Sequence, residues 1–119
     1  MDFCRGVAQV VQFVRQAETI LLPFVTLAEL RAAFVCGRQS KENERVLTRF
    51  LNSPRVRVLY TDEQTTHHYA SLFRQLRDQG TPIPTNDLWI AALVIQHDLI
   101  LCSRDRHFDA LPQIARIAD

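Results

Sequence analysis

The sequence is poor in the residues that mark several common kinds of site. Its 119 residues include only three glycines, and none of them forms a glycine-rich phosphate loop. The cysteines, Cys4, Cys36 and Cys102, are odd in number and far apart, which argues against a disulfide framework or a zinc site. No apolar run approaches the roughly 20 residues of a transmembrane helix. We therefore expect a soluble, cytoplasmic protein with reduced, partly buried thiols and no membrane partner.

The composition that is present is typical of one globular domain, spanning residues 1–119. Apolar residues make up 47% and charged residues 23% of the chain, and the net charge is +1. Nucleic acid is therefore not indicated by overall charge. One stretch is locally basic, and we interpret it first as a solvated helical face and alternatively as an RNA-contacting edge. It contains Arg31, Arg38, Lys41, Arg45, Arg49, Arg55 and Arg57.

Hydrophobic periodicity predicts helices that alternate with short strands. Helices are expected over residues 3–14, 26–36, 40–53, 62–79 and 86–96, and strands over residues 20–25, 56–60, 99–102 and 114–117. Asp62 and Ser40 are suitable N-caps, Gly37 is a suitable left-handed helix end, and Gly80 closes the helix expected over residues 62–79. Strands separated by helices indicate an α/β fold with a parallel sheet covered on both faces. In such folds ligands bind beyond the carboxyl ends of the strands.

Three acidic residues occur where that site is expected. Glu29 follows the first of these strands, Asp87 opens the apolar helix and Asp105 follows the strand at 99–102. Clustered carboxylates repel one another unless a cation intervenes, and an all-oxygen set favours Mg²⁺ or Mn²⁺ over zinc. Each acid also has a structural alternative: a capping box from Thr26 to Glu29, a helix-dipole contact for Asp87, and a turn for Asp105.

Three segments around these acids resemble motifs of the PIN-domain family, and within it the VapC-type toxins. Residues 25–31 read VTLAELR, residues 84–92 read PTNDLWIAA and residues 101–108 read LCSRDRHF. They are similar to an apolar strand end followed by TxAEL, to NDxxIAA after a proline-containing loop, and to TxDxxF with Ser103 in place of Thr. The three occur in the family's order and at its spacings, over nearly the whole chain.

The resemblance implies a three-layer α/β/α PIN-like fold and a Mg²⁺- or Mn²⁺-dependent endoribonuclease. Glu29, Asp87 and Asp105 would be its catalytic, metal-holding carboxylates, and Asn86 a supporting residue. Ser103 would hydrogen-bond a carboxylate or a metal-bound water, and Asp109 is a weaker substitute for Asp105. The implied partners are a structured RNA such as tRNA, a small antitoxin protein and a second copy of the chain. Arg31, Arg38 and Lys41 are the candidate RNA contacts.

One departure from the family concerns the N-terminus. Family members begin with an apolar central strand that ends in Asp-Thr-Asn or Asp-Thr-Ser, and the start of this sequence resembles the segment just after it. Asp2 does not match the missing Asp. Either the natural start lies upstream, or the chain is a degenerate copy that acts as a binding module, sequestering an antitoxin or dimerising. A chain without that strand is expected to fold poorly, because two inner sheet edges would be unpaired.

Overall fold

The computed structural model describes residues 19–117. The helix expected over residues 3–14, Cys4 and Asp2 lie outside the described residues. Within the described part, two pairs of consecutive α-helices separate the first three short strands, which confirms the predicted α/β class. The elements are β1 (Ile20–Pro23), α1 (Phe24–Cys36), α2 (Ser40–Leu51), β2 (Val56–Leu59), α3 (Glu63–Gln79), α4 (Thr85–Gln96), β3 (Leu101–Cys102), a 3-10 helix (Arg106–Ala110) and β4 (Arg116–Ile117).

The strands form two parallel pairs. β1 pairs with β2 from Ile20 opposite Val56 onward, and β3 pairs with β4 from Leu101 opposite Arg116 onward. Between residues 19 and 117 the two pairs are not hydrogen-bonded to each other. Residues of β1 and β3 line one cavity of about 750 Å³, which Glu29 and Asp105, the acids that follow these strands, also line. The strand ends therefore lead to one region of the molecule.

The core is centred on α4. Because this helix is apolar nearly all round, burial of the whole helix is the expected arrangement, and it packs on α3, on α1 and on the 3-10 helix. The main cluster joins it to Leu72 and Leu76 of α3 and to Phe108 beyond β3. A second cluster, formed by Leu22, Leu30 and Leu47, joins β1, α1 and α2. The buried apolar residues of α4 are Leu88, Ile90, Ala91, Ala92, Leu93 and Val94.

Both ends of α3 confirm the sequence prediction. The Asp62 carboxylate accepts a hydrogen bond from the Thr65 amide at 3.1 Å, and the Thr65 hydroxyl accepts one from the Asp62 amide at 2.9 Å. This reciprocal pair is a capping box. At the other end Gly80 adopts the left-handed conformation with φ 71°, which a residue without Cβ reaches at no steric cost.

The ends of α1 and α2 differ from the prediction. Helix α1 begins at Phe24, directly after Pro23, so Thr26 lies inside the helix and the capping box with Glu29 is wrong. Proline sets φ near the value that a helix start needs, and this allows the earlier start. Gly37 ends α1 in an extended conformation with φ −97°, not a left-handed one. Ser40 is the first residue of α2, and the N-cap is Gln39.

Several apolar side chains are more exposed than their spacing predicted. Val46 of α2 is 47% exposed and Phe73 of α3 is 53% exposed, although both belong to the apolar stripes of their helices. Cys36 and Cys102 are exposed, so the prediction of partly buried thiols is wrong for them. Hydrophobic periodicity locates the apolar stripe of a helix, but it does not show how much of that stripe the neighbouring elements cover. Among the helices between residues 19 and 117, none is long and apolar enough to cross a bilayer.

Candidate metal centre

Asp87 is held by the most deeply buried helix of the described chain. It lies in the first turn of α4, two residues after the helix begins at Thr85, and it is only 9% exposed. The helix dipole favours a negative charge there. Burial nevertheless raises the pKa of the Asp87 carboxyl above its ordinary value, and the charge of Asp105 raises it further, while a hydrogen bond to His107 opposes both effects. A nearby positive charge would therefore stabilise the ionised form of Asp87.

Asp105 stands on a short, well-tied loop after β3. Its carboxylate accepts a hydrogen bond from the His107 amide at 2.9 Å, which starts the 3-10 helix, and its own amide donates to Ser103 Oγ at 3.1 Å. Arg116 Nη1 donates to the Asp105 carbonyl oxygen at 2.8 Å. These contacts hold the backbone of the loop, so the Asp105 carboxylate is carried on a defined turn.

His107 completes a close cluster with the two acids. Its Nδ1 lies 2.8 Å from Asp87 Oδ2 and 2.9 Å from Asp105 Oδ1. The hydrogen bond to Asp87 is the main reason why the pKa of His107 is raised, and the negative charges of Asp105 and Asp87 add to the effect. One donor atom from each of the three residues lies within 4.8 Å of the other two.

Sequence reasoning missed His107. The residue stands two positions after Asp105 inside a segment that the motif comparison covers, but nothing in its spacing marks it as a site residue. Its ring reaches Asp87 across a separation of twenty positions. Only the 3-10 turn and the approach of α4 to that turn create the contact. The available signal was weak: a histidine near an acid at the carboxyl end of a strand.

Glu29, the third predicted acid, lies on α1 and lines the same pocket as Asp87 and Asp105. This pocket, of about 400 Å³, is also lined by His107 and by Asn86, the predicted supporting residue. The three acids thus share one pocket, although the close cluster of the described residues contains His107 in place of Glu29. Glu29 is an exposed residue.

The other predicted residues take different places. Ser103 accepts a hydrogen bond from the backbone of Asp105, so it supports the loop rather than a carboxylate. Asp109 is bound by Arg116 and is outside the pocket lining, which weakens it as a substitute ligand. Arg31 forms an ion pair with Glu44 at 2.9 Å, which fits the solvated-face interpretation. Arg38, in the loop between α1 and α2, and Lys41, in the first turn of α2, are both exposed.

The donor set suits a divalent cation. It offers carboxylate oxygens from two helices and one loop, and one imidazole nitrogen, in a pocket open to solvent. Oxygen donors of this type bind Mg²⁺ and Mn²⁺, and imidazole binds transition ions more readily than Mg²⁺. The described residues therefore fit such an ion on chemical grounds.

Comparison with known proteins identifies the family. The model of the PIN domain matches residues 5–114. The chain belongs to the PIN-domain family. Ribonuclease VapC1 of Haemophilus influenzae strain R2866 is 36% identical over 89 residues, which cover 74% of this chain and 64% of the relative. The matched segment thus spans less than two thirds of that relative's length.

Solved structures with this PIN fold agree with the assignment. The structure of VapBC-1 from nontypeable Haemophilus influenzae superposes with a TM-score of 0.83 at 25% identity, covering 98% of this chain and 89% of that chain. VapBC-5 from Mycobacterium tuberculosis, described as a member of the VapBC family of toxin-antitoxin systems, gives a TM-score of 0.67 at 28% identity, covering 82% and 79%. The predicted PIN-like fold is confirmed.

Proposed function

We propose that this PIN-domain protein is a metal-dependent endoribonuclease that hydrolyses RNA phosphodiester bonds. The observation that carries the proposal is the shared pocket of Glu29, Asp87 and Asp105, since three acids around one opening favour a divalent cation. The similarity to a ribonuclease of VapC type supports RNA as the substrate. Mg²⁺ and Mn²⁺ are the candidate ions.

Glu29, Asp87 and Asp105 would hold the ion. A bound divalent cation supplies positive charge for the scissile phosphate and lowers the pKa of a coordinated water. The residues of the chain contribute position: α4 fixes Asp87, the 3-10 turn fixes Asp105, and Asn86 lines the pocket beside them. Without a cation these acids would repel an RNA phosphate. Cleavage is therefore expected to depend strictly on added metal.

Binding of RNA outside the pocket depends on charge. Arg38 and Lys41 are exposed and are the candidate contacts to the RNA backbone, whereas Arg31 already has Glu44 as a partner. The choice of a structured RNA such as tRNA rests on the preference of proteins for unpaired loops. It stays a prediction, as does homodimerisation.

We infer that the protein is the toxin of a toxin–antitoxin pair and that a small antitoxin protein is its partner. The inference is supported by the likeness to VapBC-5, whose description names a toxin-antitoxin family. An antitoxin that places a basic side chain among the three acids would replace the cation there and block cleavage. Addition of the antitoxin should therefore abolish metal binding by the protein.

The test is cleavage of a labelled tRNA pool by the protein with Mn²⁺, with Mg²⁺ and with EDTA. Asp87→Asn keeps the shape of the side chain and removes its charge, so cleavage should fall at least a hundredfold, roughly the loss of 3 kcal/mol of transition-state stabilisation. Circular dichroism should show the same helix content as the parent protein.

Asp78→Asn is the matched control, because Asp78 is an exposed acid on α3 with a side chain 57% exposed and a partner in Arg74. It should cleave as the parent does. Metal-independent cleavage, equal cleavage by Asp87→Asn, or no cleavage of any RNA with either ion would each contradict the proposed function.

A further inference from the structure

The position of His107 Nδ1 between two carboxylates restricts what this nitrogen can carry. The atom lies within 3 Å of a carboxylate oxygen from each of two acids, at 2.8 Å from Asp87 and 2.9 Å from Asp105. A bare imidazole lone pair would face two negative oxygens there and be repelled. Either a proton or a cation must therefore stand between Nδ1 and the carboxylates.

The local fold places the ring at this point. The His107 amide donates to the same Asp105 oxygen that Nδ1 approaches, so backbone and side chain are directed to one carboxylate. The next residue, Phe108, is 4% exposed and packs in the main core cluster. Arg116 Nη1 donates a hydrogen bond to the Asp105 carbonyl oxygen at 2.8 Å. The ring is consequently held by a turn that is anchored at both ends.

Two of the three donor-atom separations match those of neighbouring ligands on one ion. Two neighbouring ligands of an octahedral ion, on bonds of roughly 2.1 Å, stand about 3 Å apart. The two Nδ1-to-oxygen distances, 2.8 and 2.9 Å, are close to that separation. A cation at this place would replace the proton on Nδ1 and would draw together the three donor atoms, which lie within 4.8 Å of one another.

We propose that His107 is a direct metal ligand through Nδ1, alongside Asp87 and Asp105, and that this nitrogen makes the site prefer Mn²⁺ to Mg²⁺. The inference rests on the proposed function and deepens it. Mg²⁺ prefers an all-oxygen shell, whereas imidazole nitrogen binds transition ions well. Glu29 then supplies a further oxygen from α1, or holds a water of the ion.

The experiment is electron spin-echo spectroscopy of Mn²⁺ bound to the full chain. The parent protein should show ¹⁴N modulation from a coordinated imidazole. Protein labelled with ¹⁵N at histidine alone should lose that modulation and gain the ¹⁵N frequency. This labelling needs no substitution, so it tests the ligand even where a variant is unstable.

A variant adds the affinity measurement. His107→Gln should lose the ¹⁴N modulation and bind Mn²⁺ roughly tenfold or more weakly, while Mg²⁺ affinity changes by less than about threefold. Free Mn²⁺ is counted from its solution spectrum, and Mg²⁺ from its competition with Mn²⁺. His67→Gln is the matched control, because His67 is an exposed histidine on α3, and it should behave as the parent does.

The outcomes separate this inference from the proposed function. Tight Mn²⁺ binding without ¹⁴N modulation, or with modulation that survives in His107→Gln, would overturn the ligand role and leave the nuclease intact. Mn²⁺ that binds no more tightly to the parent than to Asp87→Asn would overturn both.

Discussion

The hydroxyl of Thr65 ties the start of α3 to the end of α4, and its removal should destabilise the protein measurably. Thr65 is fully buried at 0% exposure. Its Oγ1 accepts from the Asp62 amide at 2.9 Å and donates to Gln96 Oε1 at 2.5 Å. Thr65→Val keeps the branched shape, with a methyl group in place of the hydroxyl, and leaves the two partners without this contact.

The expected loss follows from those two bonds. Each hydrogen bond contributes about 1 kcal/mol net, so the loss of both in Thr65→Val should lower the free energy of unfolding by about 2 kcal/mol. Thr65→Ser keeps the hydroxyl and removes one buried methyl group, at a cost of about 1 kcal/mol. The valine variant should therefore be the less stable of the two.

Urea denaturation followed by fluorescence of Trp89 measures the effect. Trp89 is the only tryptophan, and its ring lies 4.2 Å from that of Tyr69, between α4 and α3. With a slope of roughly 1.5 kcal/mol per molar urea, the midpoint of Thr65→Val should fall by more than about 1 M. A valine variant as stable as the serine variant would refute the assigned role of the hydroxyl. The parent curve also tests folding directly, since one cooperative transition would contradict the expectation that this chain folds poorly.

Two further predictions concern the capping box and the loop that carries Asp105. Hydrogen bonds from Gln96 and from the Thr65 amide lower the pKa of Asp62 in the folded protein. The ionised Asp62 carboxylate therefore stabilises the fold at pH values above its ordinary pKa, near 3.8. This stabilisation is lost as the pH falls through the lower pKa of the folded state. The stability gap between the parent and Asp62→Asn should be constant from pH 5 to 7 and close below that value; a gap that widens in acid would contradict this. Arg116→Met removes the hydrogen bond to the Asp105 carbonyl, so the affinity for Mn²⁺ should fall roughly tenfold. Arg74→Met, at an exposed arginine, is the control. Unchanged affinity in Arg116→Met would show that this hydrogen bond does not position the site.

Local signals predicted the elements that depend on local chemistry. An apolar run of helical length predicted α4, and an Asp before an apolar helical stripe predicted the start of α3, because both features are encoded within a few residues. The start of α1 was missed because Pro23 can end a strand and also precede a helix. The exposure of Val46 and Phe73 was missed because it depends on which surfaces meet, and His107 because its partner, Asp87, is twenty positions away.

The two core clusters explain why the pocket divides into a close set and an outlying acid. Asp87, Asp105 and His107 all stand on elements of the main cluster, around α4 and Phe108. Glu29 stands on α1, which belongs to the second cluster with Leu22 and Leu47. The distance from Glu29 to the other acids therefore depends on how the clusters pack against each other, mainly through α1 and α4. A cation held by Glu29 and by the acids of the main cluster would link the two clusters. Metal binding should therefore stabilise the domain as a whole and not one cluster separately.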